Sequence, residues 1–536
     1  MSRARERSLL VSVLTISALV FLLGITWGLP SRKADSFLFG DHPVWSGKEI
    51  AALAADRASQ SNLGADVDRN PLARSTEPVV LNATDQQRAE IVRRYRLYTY
   101  QPDEMITMMA LASMRPGIRD FDPKLYQYGG LWIYPVGALI KVFANPKADS
   151  TYYLDHPEEF GRFYVIARLY TAAWAILGAC SVFWIVRRLT NQPILAAGAT
   201  LCYAFMPVVV NMAHEAKPHL PAAVLILLAI IAATKFIDTG KKRWWAIAGA
   251  LVGAAAGMVL SAIPAIVILP IMAWLRRETW GQRFIILLAS VVIAIDVYFI
   301  TNPYVLIHLL GDRTVLLSNL RNSQAMYQAP PSIDGVVNAI RLLGLGTAGL
   351  IAILALARIP EIRKHPLLVM LAAASAIILI QFFMLATNKP AEYARFALLP
   401  DIAMTIVAFA GLASFKPRIA YSIAAMALIP TAFAGASYVW HFIDDSQDRS
   451  TRIIAAERLQ KHVRDGATTI AVGAEPAPYS VPPVDLFRTR LILQGDSSRV
   501  DIAMRTVDVV RSRGAGVEYW ARPRLIGTPI SWAHKP

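Results

Sequence analysis

The sequence predicts an all-α polytopic membrane protein that ends in a small extracytoplasmic α/β domain. Three observations predict it. The first is composition: 55% of the 536 residues are hydrophobic and mean hydropathy is +0.41, too apolar for a soluble chain of this length. The second is the recurrence of apolar runs long enough to span a bilayer. They begin near Leu9, Arg162, Pro193, Pro218, Trp244, Ala262, Arg283, Val336, Pro366, Ala394 and Ile419, giving about eleven spans of about 20 residues each. The third is charge placement. Arg187 and Arg188, Lys241 to Arg243, Arg276 and Arg277, Arg363 and Lys364, and Lys416 and Arg418 fall in alternate loops. With Arg3, Arg5 and Arg7 they mark the cytoplasmic side. The net charge of +16 is therefore a topology signal, and no nucleic-acid partner is expected.

Residues 1–30 read as an N-terminal transmembrane helix. The arginines before its apolar core resemble a signal peptide, but the core is long and no small-residue cleavage site follows Trp27, so an uncleaved anchor with a cytoplasmic N-terminus is expected. Residues 31–160 read as an extracytoplasmic loop. Ser31 to Gln87 is polar and weakly periodic, with a helical signal around Lys48 to Arg57. Asn82-Ala83-Thr84 matches the glycosylation sequon, a pattern short enough to arise by chance. Thr84 with Gln87 three residues on is a capping box, predicting a helix to Arg96. Pro102, Asp103 and Glu104 read as the next helix N-terminus. The apolar run from Met105 to Met114 and the short run from Leu131 to Phe143 suit helices lying in the membrane interface.

Residues 161–443 carry the remaining spans. Ala246 to Leu275 is either two spans or one long span broken at Pro264 and Pro270. Gly249, Gly253 and Gly257 recur every four residues, which lets spans pack closely. Gly344 to Gly349 matches GxGxxG, but it lies in an expected span, follows no strand and lacks the acidic residue expected downstream, so helix packing is the reading. Cys180 and Cys202 both fall in spans, and no disulfide framework is expected. Residues 444–536 are the α/β domain, with a helix over Arg449 to Arg464 and strands at Thr468 to Val472, Leu491 to Leu493 and Val517 to Trp520.

Polar, acidic and aromatic residues concentrate between Tyr95 and Tyr134. Acids in a first helical turn are explained by the helix dipole alone. Asp103 and Glu104, however, sit between a span and an interfacial helix on the non-cytoplasmic side, where a carboxylate can take a proton from an acceptor hydroxyl or bind a divalent cation. His214-Glu215-Ala216-Lys217-Pro218-His219 lacks HExxH spacing, so zinc is disfavoured. It reads as a polar turn, or as Glu215 acting as a second acid with Lys217 on a phosphate. Asn302-Pro303-Tyr304 ends a span on the same side, and Arg313, Arg321 and Tyr327 follow. Asn388 to Phe396, with Lys389 and Arg395, opens another span there. Interfacial arginines can simply snorkel, but Lys217, Arg321, Lys389 and Arg395 on one side suit a phosphate headgroup.

These residues carry a likeness. The chain resembles the GT-C fold glycosyltransferases, a polytopic group that includes protein O-mannosyltransferases and the lipid A aminoarabinose transferase. Four segments carry it: Pro102-Asp103-Glu104, Met206-Pro207 to His219, Asn302-Pro303-Tyr304, and the run from Ala394 to Pro400. The resemblance implies a GT-C-like fold and transfer of a sugar from a polyprenyl-phosphate donor to a glycan, lipid or protein acceptor, at the extracytoplasmic face of a cell membrane such as the bacterial inner membrane. It implies Asp103 as base or metal ligand (Mg2+, Mn2+ or Ca2+), assisted by Glu104, in a direct inverting displacement. Lys217, Arg395, Lys389, Arg321 and Tyr304 would contact the donor phosphate, and Glu215 would be a second acid. Two departures stand out: the acid motif lies far from the first span, and Lys217 or Pro218 stands where an acid is often found. The rival readings are a secondary transporter, which needs internal repeats and mid-membrane polar groups, and a non-catalytic scaffold for envelope assembly. No repeat is evident, and the spans are nearly free of internal charge, Asp296 being an exception close to a span end.

Overall fold

The computed structural model describes residues 2–61, 79–325, 330–385, 394–447, 451–464, 469–472, 482–493, 502–504, 510–513 and 516–519. The chain divides into two compact units. The first comprises Met1–Leu23, Ile106–Leu139 and Ala167–Trp440; the second comprises Gly24–Met105, Ile140–Ile166 and His441–Pro536.

Among the described residues, six helices are long and apolar enough to cross a membrane: Pro157–Thr190, His219–Thr239, Trp280–Thr301, Pro366–Met384, Arg395–Leu412 and Pro417–Ser446. Two bent pairs, Pro193–Phe205 with Pro207–Ala213 (60°) and Ile333–Gly346 with Leu350–Leu356 (108°), raise the number to eight. The chain is a multi-pass membrane protein, since helices apolar all round have no use for water. The most apolar window of Trp280–Thr301 is only 11% buried against protein, as a lipid-facing span is. The other expected spans are short or broken. Arg3–Leu22 begins with four charged residues. Between Trp244 and Leu275 the chain forms the helix Lys242–Met258, a 3-10 stretch Leu260–Val267 containing Pro264, and the helix Ile268–Leu275.

Glycine sets the packing of the first unit. A Cβ added at Gly249, Gly253 or Gly257 would lie 2.5 Å from Ser290 O, 2.2 Å from Ala294 O and 2.4 Å from Thr301 Oγ1. The four-residue repeat is thus the contact face of Lys242–Met258 on Trp280–Thr301. The Gly344 to Gly349 run is placed differently from its expected position inside a span. It is the elbow of the 108° bend, where Ala348 and Gly349 both take left-handed backbone angles, Gly349 at φ +80°. Helix packing holds for Gly346 alone, which abuts Asp401.

The second unit is α/β. Its four-stranded sheet runs Val79–Val80, Arg490–Leu493, Thr469–Val472, Ile502–Met504; the first pair is antiparallel and the others are parallel. A separate hairpin joins Val510–Arg513 to Gly516–Tyr519. The expected helix is observed as Thr451–Arg464. Residues from the 31–160 stretch and from the tail share one core, including Leu38, Phe39, Ile50, Val92, Leu459, Ile470 and Leu491. The helix Asp85–Leu97 opens on the expected capping box, with both reciprocal bonds between Thr84 and Gln87 made. Asn82 is buried and fully used, donating to Leu486 O and Thr489 O and accepting from Leu491 N. The sequon is therefore a structural clamp. Arg96, fully buried, donates two bonds to Asp35 and one to Leu154 O.

Candidate active site

The acid pair lies in the second unit. Pro102–Glu104 forms a 3-10 turn that leads into the helix Met105–Ser113, as the proline and two acids predict. Glu104 is fully buried and its Oε2 accepts the Thr99 hydroxyl at 2.5 Å. Asp103 is half-buried. Of the two, Asp103 is the less buried, while Glu104 holds the turn through Thr99.

The cationic candidates lie in the first unit. The polar turn follows the bent pair and leads into His219–Thr239. Glu215 and Lys217 form an ion pair at 3.3 Å with side chains 0% and 1% exposed, and Asn211 Nδ2 donates to Glu215 at 3.3 Å. Both nitrogens of His214 face backbone carbonyls, Val210 O at 2.7 Å and Leu23 O at 2.8 Å, so this ring is committed to the backbone. His219 turns the other way. With Arg395 it lines a small groove of about 30 Å³ together with Ile226, Ile378, Leu398 and Leu399. Lys217 and Arg395 both act electrostatically on His219. The ring atom Nδ1 of His219 is buried without a hydrogen-bond partner among the described residues. Left unpaired, such an atom costs ~1–3 kcal/mol.

Two glycines deliver the aromatic run to this groove. Gly129 N donates to Met258 O at 2.8 Å and Gly130 N to Asn302 Oδ1 at 2.7 Å. A Cβ at either position would lie 1.9 Å from Gly257 O or 2.0 Å from Thr301 O. The segment therefore passes close over two helix ends, and the Tyr128 ring meets His219 edge-on at 6.0 Å. Tyr304 is engaged elsewhere: its hydroxyl accepts from Phe121 N at 2.9 Å. Asn302 and Tyr304 together clamp the 121–130 segment, so the Asn-Pro-Tyr motif has an architectural job here. Arg321 is exposed on the helix Thr314–Ala325 and does not line the groove. Lys389 and Tyr327 lie outside the described residues.

Two constellations escape the sequence reading. Asp122 Oδ1 accepts the Tyr126 hydroxyl at 2.6 Å, and Asp122 Oδ2 meets His308 Nε2 at 2.8 Å. The acidic turn was visible in the sequence, but His308, 186 residues on, gave no signal. Asp401 is buried inside the span Arg395–Leu412, with neither carboxyl oxygen hydrogen-bonded among the described residues. It joins Asp296 as a second acid within the spans, and a lone acid after Leu398-Leu399-Pro400 was its signal. Among the described residues, no three His, Cys, Asp or Glu side chains converge as a metal site.

Residues 160–301 match the model of the family described as dolichyl-phosphate-mannose-protein mannosyltransferase. Two solved structures are similar to the chain: ArnT from Cupriavidus metallidurans bound to undecaprenyl phosphate (12% identity, TM-score 0.44) and the same protein in the apo state (12%, 0.43). Each comparison covers 76% of this chain and 84% of that one. No curated protein matches the sequence.

Proposed function

We propose that this protein is a membrane glycosyltransferase that draws its sugar from a polyprenyl-phosphate donor. The groove lined by Arg395 and His219 carries the reading. Its lining combines Arg395 and His219 with aliphatic side chains, the mixed chemistry that a phosphate on an isoprenoid chain presents. A guanidinium offers phosphate paired donors, and the buried His219 Nδ1 can add a bond from its side. The family match over residues 160–301 supports the same class.

In this reading Asp103 takes the proton of an acceptor hydroxyl as that oxygen attacks the anomeric carbon. The bond from carbon to the donor phosphate oxygen breaks, the anomeric centre inverts, and polyprenyl phosphate leaves as an anion, a group that a guanidinium such as that of Arg395 binds. Lys217, neutralised in part by Glu215, adds to the field at His219. The reaction faces the extracytoplasmic side, where nucleotide sugars are normally absent.

The test is purified protein in detergent, offered either a radiolabelled polyprenyl-phosphate sugar or the matching nucleotide sugar. Transfer is expected from the lipid-linked donor alone, and transfer from the nucleotide sugar alone overturns the assignment. Asp103→Asn should lower turnover by roughly 10²-fold, a typical weight for a general base, with membrane insertion unchanged. Arg395→Lys should raise KM for the donor, since lysine replaces a fork with a point charge.

One observation favours a second reading. Asp401 is a buried acid inside a span, the feature a proton-coupled secondary transporter requires. If Asp401→Asn abolishes uptake of a solute in vesicles while leaving sugar transfer intact, transport is the activity that residue serves.

A further inference from the structure

The second unit contains a cavity that the proposed transfer does not use. It has a volume of about 270 Å³, room for about nine liquid waters at ~30 Å³ each. Three stretches far apart in the chain wall it: the short helix Asp35–Leu38 with the turn after it, one face of Thr451–Arg464, and residues 483–488. Ser36, Phe37, Asp41, Gln460, Asp485 and Arg488 supply most of its chemistry.

The walls are fixed in place. Gly40 has φ +54°, and a Cβ there would lie 2.0 Å from Asp485 Oδ2, so only glycine lets the turn approach the 485–488 loop. Asp485 Oδ1 accepts from the amides of Phe487 and Arg488, both at 2.9 Å. Arg488 pairs with Asp41 across the cavity's rim. His42 stacks on Phe487 at 3.8 Å and 2°, bracing the loop from outside. The pocket opens to solvent, with the Arg488 and Asp41 side chains 56% and 82% exposed, so a ligand can enter from water.

The chemistry narrows the occupant. An apolar ligand would strand the polar side chains. An anion would find one guanidinium already matched by Asp41 and faced by a second carboxylate. A bound metal ion would need converging ligands, and no such cluster occurs among the described residues. A neutral molecule rich in hydroxyls fits, because each hydroxyl donates and accepts at once. Asp41, Asp485 and the Gln460 carbonyl can accept; Arg488, Ser36 and the Gln460 amide can donate; Phe37 offers an apolar face to a ring. We propose that this cavity is a saccharide-binding subsite with room for one sugar ring. The proposal stands apart from the identity of the donor and from the chemistry at Asp103.

The test is saturation-transfer NMR on the full-length protein in lipid nanodiscs, since maltoside detergents would compete. The probes are methyl α-mannopyranoside, methyl α-glucopyranoside and N-acetylglucosamine, with inorganic phosphate as the anionic control. Saturation should reach the ring protons of at least one pyranoside and not be displaced by phosphate. Gln460→Ala and Arg488→Ala should each weaken that probe about tenfold, the weight of one or two hydrogen bonds. Gln460→Ala leaves the Arg488–Asp41 pair intact, so its loss of binding with an unchanged melting temperature separates recognition from folding. Asp103→Asn and Arg395→Lys should bind the probe as the unaltered protein does. No saturation of any pyranoside, or equal binding in both Gln460→Ala and Arg488→Ala, overturns the proposal. The readout needs no turnover, so failure of the transferase reading leaves it standing, and the reverse.

Discussion

At Gly346 one added carbon separates two descriptions of the elbow. A Cβ there would lie 2.0 Å from Asp401 Oδ2, within a packed site where neither atom can retreat into solvent. Gly346→Ala should therefore cost ~1–3 kcal/mol, the usual penalty of overpacking. Asp401→Ala removes the colliding carboxyl and should rescue it. Thermal unfolding of the two single variants and the double variant measures the coupling, and strictly additive losses would refute the contact. His308 makes a second prediction, this time in pH. Its Nε2 faces Asp122 Oδ2 at 2.8 Å and its Nδ1 faces Asp312 O at 3.0 Å. Only the protonated ring donates to both, and the Asp122 hydrogen bond pushes the His308 pKa above its ordinary value. A raised folded pKa gives stability that is complete below ~6.5 and lost as pH rises through the folded value. The melting temperature should fall from neutral to mildly alkaline pH, and His308→Gln should flatten that fall. An unchanged slope in the variant would move the titration elsewhere. These sites also show what the sequence revealed of chemistry. Asp103, Lys217 and Arg395 stood out because charge beside apolar runs is costly. His308 acts through Asp122, 186 residues away, and single-chain spacing carries no trace of that pair.

Among elements, the helix Lys242–Met258 shows how spacing becomes packing. Its three glycines place backbone against backbone on Trp280–Thr301, where lipid supplies no hydrophobic drive and close van der Waals contact must hold the pair. Gly253→Val would force branched carbons into the space where a Cβ alone already lies 2.2 Å from Ala294 O. It should lower the detergent melting temperature markedly, whereas Gly281→Val, at a position with nothing within 4 Å, should leave it near the parent value. Equal effects at the two positions would show that the repeat does not set the interface. This element was legible because period four in small residues has one geometric use. The capping box at Thr84 and the strands at Thr469–Val472 and Arg490–Leu493 were legible for the same local reason. The two-residue strand Val79–Val80 was not: it exists because Arg490–Leu493 offers it a partner, a long-range cause that no local pattern encodes. The 108° bend at the elbow was not legible, since hydropathy registers apolar content and is blind to direction.

At the scale of the whole molecule, the bent pair Ile333–Gly346 and Leu350–Leu356 decides which side of the membrane the tail occupies. The arithmetic is parity. Lys242–Met258 and the segment Leu260–Leu275 either cross once each or make one broken span, and the basic clusters Lys241 to Arg243 and Arg276 with Arg277 at their two ends favour two crossings with both clusters on the cytoplasmic side. The 108° pair is the remaining step. If it crosses, residues 302–332 and the Arg363–Lys364 loop lie on opposite faces; if it is re-entrant, they share one. Charge argues for crossing. Arg358, Arg363 and Lys364 cluster within seven residues, as a cytoplasmic loop does, while Tyr304 ties the 303–310 helix to the loop that carries Asp120 and Asp122. We therefore expect a cytoplasmic N-terminus, an extracytoplasmic 31–160 segment and an extracytoplasmic tail. Alkaline-phosphatase fusions check all three points. Fusions after Gln60 and Gln447 should be active and a fusion after Lys364 inactive. Activity after Lys364 with silence after Gln447 would make the elbow re-entrant. It would put Arg395 on the face opposite His219, although both line one groove, and the proposed donor site would lose its topological support.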